Sequence, residues 1–91
     1  MIGIIDIGLS NFKSVEKALD KLNVSNKKIA EPNDFEDCTK LIFPGVGSYP
    51  AAMRRLNQYQ LVEPIKDHIN AGKSFLGICL GMQLLSRLGF E

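Results

Sequence analysis

Short apolar runs alternate along this chain with stretches in which apolar residues recur every three or four positions. Continuous runs rich in β-branched residues are typical of strands buried on both faces of a parallel sheet, whereas the wider spacing is typical of amphipathic helices. We predict four strands, at Met1–Ile7, Ser25–Ala30, Leu41–Phe43 and Ser74–Ile78. Their alternation with helices predicts one α/β domain, a three-layer sandwich with a mostly parallel sheet and right-handed crossovers.

Three helices are expected between these strands. The first begins after a cap at Ser10 or Asn11, the second after Ser48, and the third spans about Gln60–Ala71, where Gly72 ends it. The apolar side chains predicted to face the core from the first helix are Phe12, Val15, Leu19 and Leu22. Lys13, Lys17 and Lys21 share the opposite face, which we interpret as solvated surface with a binding role as the alternative.

The composition argues against two classes of protein, those that bind nucleic acid and those that contact a membrane. The 91 residues are 45% hydrophobic with a net charge of +1, which is typical of a globular domain. Because there is no basic stretch interleaved with aromatic residues, we expect no nucleic acid partner. No apolar run approaches the roughly 20 residues needed to span a bilayer, so we expect no membrane contact and a cytoplasmic location.

The sequence holds two cysteines, Cys38 and Cys79, and one histidine. This set is too small and too widely spaced for a metal site, so we expect no metal, no cofactor and two free thiols. Cys38 lies in a polar stretch before a strand and is interpreted as structural.

Cys79 stands where a predicted strand turns into a helix, with Gly77 and Gly81 two residues to either side. This pattern is typical of a nucleophile elbow, in which small flanking residues let strand and helix pack closely. A helix start also favours thiolate over thiol, which indicates acyl transfer. The alternative is a buried, inert cysteine in an ordinary turn.

The segment Pro44–Gly47 follows the third strand, at the same predicted edge of the sheet as Cys79. Its two glycines allow a sharp turn and a close approach to ligand, so the N–H of Val46 or Gly47 could face an oxyanion. Leu80 offers a second N–H directly after the cysteine. Alone, the segment could equally be a plain strand-to-helix turn.

Taken together, Pro44–Gly47 and Gly77–Gln83 resemble the class I glutamine amidotransferases, and the likeness covers essentially the whole chain. The resemblance implies the flavodoxin-like fold of that family and Cys79 as the nucleophile that attacks the side-chain amide of L-glutamine. It also implies that Val46 and Leu80 line the oxyanion hole. The substrate-binding residues that it implies are Gly45, Gly47 and Gln83. Gln83 could instead be a solvent-facing helix residue.

Within the family, the likeness is to glutaminases that pass ammonia to a (β/α)₈-barrel synthase in histidine biosynthesis, which implies a heterodimer. The residues expected to contact that partner are Ser10, Asn11, Arg54 and Arg55. Three other functions stay open: a paralogous glutaminase that serves a sugar amidotransferase in surface polysaccharide synthesis, a non-catalytic interaction module, and a related hydrolase with a cysteine elbow.

A thiol nucleophile needs a base, usually a histidine oriented by a carboxylate. The family places both far beyond the nucleophile, and the 91 residues end at Glu91. We therefore expect an amino-terminal part of a single amidotransferase domain, inactive on its own. His68 lies on a predicted helix without an orienting carboxylate and is interpreted as a partly buried structural residue.

Overall fold

The computed structural model describes residues 1–8, 12–45 and 49–79. The elements in chain order are β1 (Ile2–Ile5), α1 (Phe12–Lys21), β2 (Asn26–Ile29), a 3-10 helix (Pro32–Phe35), β3 (Lys40–Gly45), α2 (Tyr49–Gln58), α3 (Val62–Asn70) and β4 (Ser74–Cys79). The predicted strands and helices are confirmed, with ends that shift by one or two residues.

The four strands form one sheet in the order β2-β1-β3-β4, and every neighbouring pair is parallel. Ile4 of β1 is in register with Lys28 of β2 on one side and with Ile42 of β3 on the other. The predicted parallel α/β sandwich is therefore confirmed. The strand order could not be predicted from the pattern alone, since it depends on which strands pair across the crossovers.

The main core lies between the sheet and the two helices that follow β3. Its fully buried members include Ile5, Ile7, Leu41 and Phe43 from the strand side and Ala52, Leu56, Leu61 and Ile65 from the helix side. Ile4 points to the opposite face, because side chains alternate along a strand, and it is also fully buried. The helix α1 contacts β1 and β2. Burial on both faces of β1 explains why its sequence is almost continuously apolar.

Each helix ends in a residue with a left-handed backbone. The predicted stop at Gly72 is confirmed, with φ of +81°, and its N–H donates to the carbonyl oxygen of Ile69 at 3.0 Å. Asn23 and Gln60 take the same position after α1 and α2, with φ of 57° and 60°. The following N–H in each case bonds to a carbonyl five residues back, which completes a Schellman motif.

Leu22 departs from expectation. It was predicted to lie on the buried face of the first helix, yet 71% of it is exposed. The helix ends at Lys21, so Leu22 belongs to the turn and no longer follows the helical spacing.

Among the described residues, none of the helices is both long and apolar enough to cross a membrane.

Candidate active site

The end of β3 and the end of β4 lie side by side. Gly45 is the register partner of Cys79, and Pro44 is the partner of Ile78. Neighbouring strands are about 4.8 Å apart, so the backbone of Cys79 lies next to the strand end from which the Pro44–Gly47 segment continues. The sequence predicted that these two segments meet at one edge of the sheet, and the strand register brings their described parts together.

The strand order adds a second geometric fact. The crossover from β1 to β2 moves in one direction across the sheet, and the crossover from β3 to β4 moves in the opposite direction. Crossovers of one hand that run in opposite directions place their helices on opposite faces. The strand order therefore reverses between β1 and β3, and ligands of open parallel sheets usually bind in a crevice at the carboxyl ends of such a strand pair.

Several residues predicted for the site lie outside the described residues, and their roles stay predictions. They are Ser10, Asn11, Val46, Gly47, Leu80 and Gln83. For Gly45 and Cys79 the structure gives the strand position at the carboxyl edge.

The two predicted partner-contact arginines differ from each other. Arg54 is exposed, whereas Arg55 is half-buried and its Nη1 donates a hydrogen bond to the carbonyl oxygen of Ile7 at 3.1 Å. Residues 7 and 55 are far apart in sequence, and no local pattern could have predicted this contact. The structure therefore places Arg55 at the carboxyl end of β1, within the candidate site region.

His68 lies at the other edge of the sheet. It is buried in α3, and its Nε2 donates to the carbonyl oxygen of Ser74, the first residue of β4, at 2.9 Å. From Ser74 to Cys79 there are five strand rises, which amounts to about 16 Å. The interpretation of His68 as a structural residue agrees with this placement, since no imidazole so far away could take a proton from Cys79.

A cleft of about 270 Å³ lies next to His68 and is lined by Phe35, Pro64, Asp67, His68, Ala71 and Lys73. It lies at the amino end of β4 and so belongs to the edge opposite Cys79. Within the described part of the chain, no three His, Cys, Asp or Glu side chains are grouped as metal ligands would be.

Cys38 is a buried free thiol with 2% exposure. Its Sγ donates to the carbonyl oxygen of Asp34 at 3.6 Å. Burial raises the pKa of the thiol, and the positive charges of Lys27 and the amino terminus only partly oppose this. A protonated, enclosed thiol is a poor nucleophile, which fits the structural role predicted for it.

Comparison with known proteins decides the family. The sequence profile of the SNO glutamine amidotransferase family matches residues 8–89. The chain belongs to this family. The predicted resemblance to glutamine amidotransferases is thereby confirmed, and it includes the segment around Cys79.

Three curated relatives of this amidotransferase chain carry the name imidazole glycerol phosphate synthase subunit HisH. The protein from Caldanaerobacter subterraneus is 50% identical over 91 residues, which is 100% of this chain and 45% of that protein. The protein from Lacticaseibacillus casei is 48% identical over the same length, 44% of its own. One from Prochlorococcus marinus is 49% identical over 84 residues, 92% of this chain and 39% of that protein. The chain spans less than half the length of these relatives.

A solved structure described as a glutamine amidotransferase has the same fold. It superposes with a TM-score of 0.77 at 21% identity, covering 88% of this chain and 42% of that one. At this identity the likeness supports the fold of the amidotransferase chain and no finer property.

Proposed function

We propose that this chain carries the nucleophile of a glutaminase that hydrolyses L-glutamine and passes ammonia to a synthase partner. The observation that carries the proposal is the register of Gly45 with Cys79 at the carboxyl edge of the sheet, in a chain of the glutamine amidotransferase family. This pairing supports an oxyanion-binding segment beside a nucleophile.

In the proposed reaction, the Cys79 thiolate attacks the side-chain amide carbon of glutamine. The carbon–nitrogen bond breaks, the nitrogen takes up a proton and leaves as ammonia, and a glutamyl thioester remains. Water then cleaves the thioester and releases glutamate and the free thiol. The N–H groups of Val46 and Leu80 stabilise the oxyanion in both steps, and Gly45, Gly47 and Gln83 bind the substrate.

We propose that the base for these proton transfers does not come from residues 1–91. The sequence has one histidine, and its described position is at the opposite edge of the sheet. We propose that the base comes from a histidine oriented by a glutamate elsewhere in the natural protein, and that residues 1–91 alone turn over no glutamine.

The name shared by the relatives supports an imidazole glycerol phosphate synthase partner, and hence a heterodimer in histidine biosynthesis. Nothing in the described residues favours a sugar amidotransferase as the acceptor. We propose that the exposed Arg54, together with Ser10 and Asn11, contacts this partner.

The test is covalent labelling with 6-diazo-5-oxo-L-norleucine, an electrophile shaped like glutamine, followed by peptide mass spectrometry of the natural protein. We expect Cys79 to be modified and L-glutamine to protect it. Cys38 is the internal control, because its thiol is buried and should stay unmodified. Equal modification of both cysteines, or none at Cys79, would contradict the proposal.

A further inference from the structure

Arg55 links two parts of the chain that meet at the candidate site. It lies on α2, the helix after β3, and its Nη1 donates to the carbonyl oxygen of Ile7 just beyond β1. Since the guanidinium is charged and half-buried, this bond is stronger than an ordinary surface contact. Arg54, one residue earlier, is exposed, so the two arginines differ in environment while sharing charge and helix.

Gly8 makes room for this contact. Its φ is +81°, and a Cβ at this position would lie 2.9 Å from Nη1 of Arg55. Any side chain here would both strain the backbone and displace the guanidinium. The N–H of Gly8 also donates to Oδ1 of Asp6 at 3.0 Å, so the turn after β1 is held by Asp6 on one side and by Arg55 on the other.

This turn follows β1, one of the two strands between which the strand order reverses. Arg55 is carried by the helix that follows β3, the other of these two strands. Ligands of open parallel sheets usually bind at the carboxyl ends of such a pair. The bond to Ile7 therefore ties the helix after β3 to the turn after β1. Cys79 is one strand further along the same edge.

We infer that Arg55 is a positioning residue of the glutamine site, which holds the turn at Ile7 and Gly8 as one wall of the substrate crevice. The inference rests on the glutaminase function proposed above. Because Arg55 acts through the turn and not on the reacting atoms, its loss should weaken glutamine recognition and leave the thiol chemistry unchanged.

The experiment compares Arg55→Met with the control Gln58→Met, which changes an exposed residue of the same helix, in the natural protein. Alkylation of Cys79 by 6-diazo-5-oxo-L-norleucine is measured over a range of concentrations, which separates the half-saturating concentration from the maximal rate. Alkylation by iodoacetamide, which is not shaped like glutamine, reports thiol reactivity alone. For Arg55→Met we expect a half-saturating concentration raised by about tenfold, as the loss of one charged hydrogen bond implies.

The maximal rate and the iodoacetamide rate should stay at the wild-type level, Gln58→Met should behave as wild type, and Arg55→Lys should recover part of the loss. An Arg55→Met protein that saturates like wild type would overturn the inference and leave the proposed function intact. A general rise in iodoacetamide labelling, at Cys38 as well, would also overturn it, because the role would then be structural. Wild-type protein that is not labelled at Cys79 would defeat both proposals.

Discussion

Replacing Gly3 by alanine tests how tightly β1 is packed. A Cβ at this position would lie 2.8 Å from Cγ1 of Ile29 and 2.9 Å from Sγ of Cys38. Both neighbours are fully buried or nearly so, with 0% and 2% exposure, and neither is the free end of a flexible surface side chain. The added methyl group therefore has no open space to enter.

The expected cost follows from two opposing effects. Inserting a methyl group into a packed core costs about 1 to 3 kcal/mol. Alanine recovers about 0.5 to 1 kcal/mol relative to glycine in the unfolded chain and the strand. Since the backbone of Gly3 has no positive φ to favour glycine, the two effects leave a net cost of about 0 to 2.5 kcal/mol. Because both neighbours are buried and have little room to move, we expect a destabilisation of about 1 to 2 kcal/mol.

The assay is urea unfolding of the natural protein followed by circular dichroism. Cys38→Ala removes one of the two close contacts, so Gly3→Ala should cost less in that background than in wild type. Gly72→Ala is the matched control: a Cβ there meets no atom within 4 Å, and its cost comes from the φ of +81°. That cost should be the same in both backgrounds. A Gly3→Ala protein as stable as wild type, or a penalty unchanged by Cys38→Ala, would refute the packing argument.

Three further predictions concern other residues. Gln60→Gly should stabilise the protein by up to about 1 kcal/mol, because glycine relieves the left-handed backbone. Arg54→Gly, at an exposed position in the interior of α2, should destabilise it by a similar amount, and thermal unfolding of both variants checks the opposite signs. His68→Ala should lower the unfolding free energy by about 1 to 3 kcal/mol without changing Cys79 labelling, and a selective loss of labelling would contradict its structural role. Burial raises the pKa of Cys38, so the folded protein holds the thiol proton more tightly than the unfolded chain does. The stability that this proton contributes is complete below the pKa of the unfolded thiol and is lost as pH rises through the folded value. Between about pH 8 and 10, the free energy of unfolding should therefore decline less steeply with pH for Cys38→Ala than for wild type.

The sequence predicted the elements of this fold well because their signals are local. The apolar run of β1, the glycine after α3 and the strand that reaches Cys79 each depend on a few adjacent residues. The left-handed Asn23 and Gln60 were missed, since glycine is the usual residue there and nothing nearby distinguishes these two positions.

For the candidate site, the sequence predicted that Pro44–Gly47 and Cys79 lie at one edge of the sheet, because the carboxyl ends of parallel strands share an edge. The register that pairs Gly45 with Cys79 needed the structure, since it depends on the lengths of both strands and of the intervening helices. The hydrogen bond from Arg55 to Ile7 also needed the structure. The two residues are distant in sequence, and the strand order of the sheet brings them together.

The bond between His68 and Ser74 fastens β4 at the end farthest from its cysteine. Mutations there alter how long a folded molecule survives, whereas under the proposed function mutations at the other end alter what each surviving molecule can do. The proposed function thus predicts that loss of function in cells arises at either end of a six-residue strand, through protein abundance at one and through chemistry per molecule at the other.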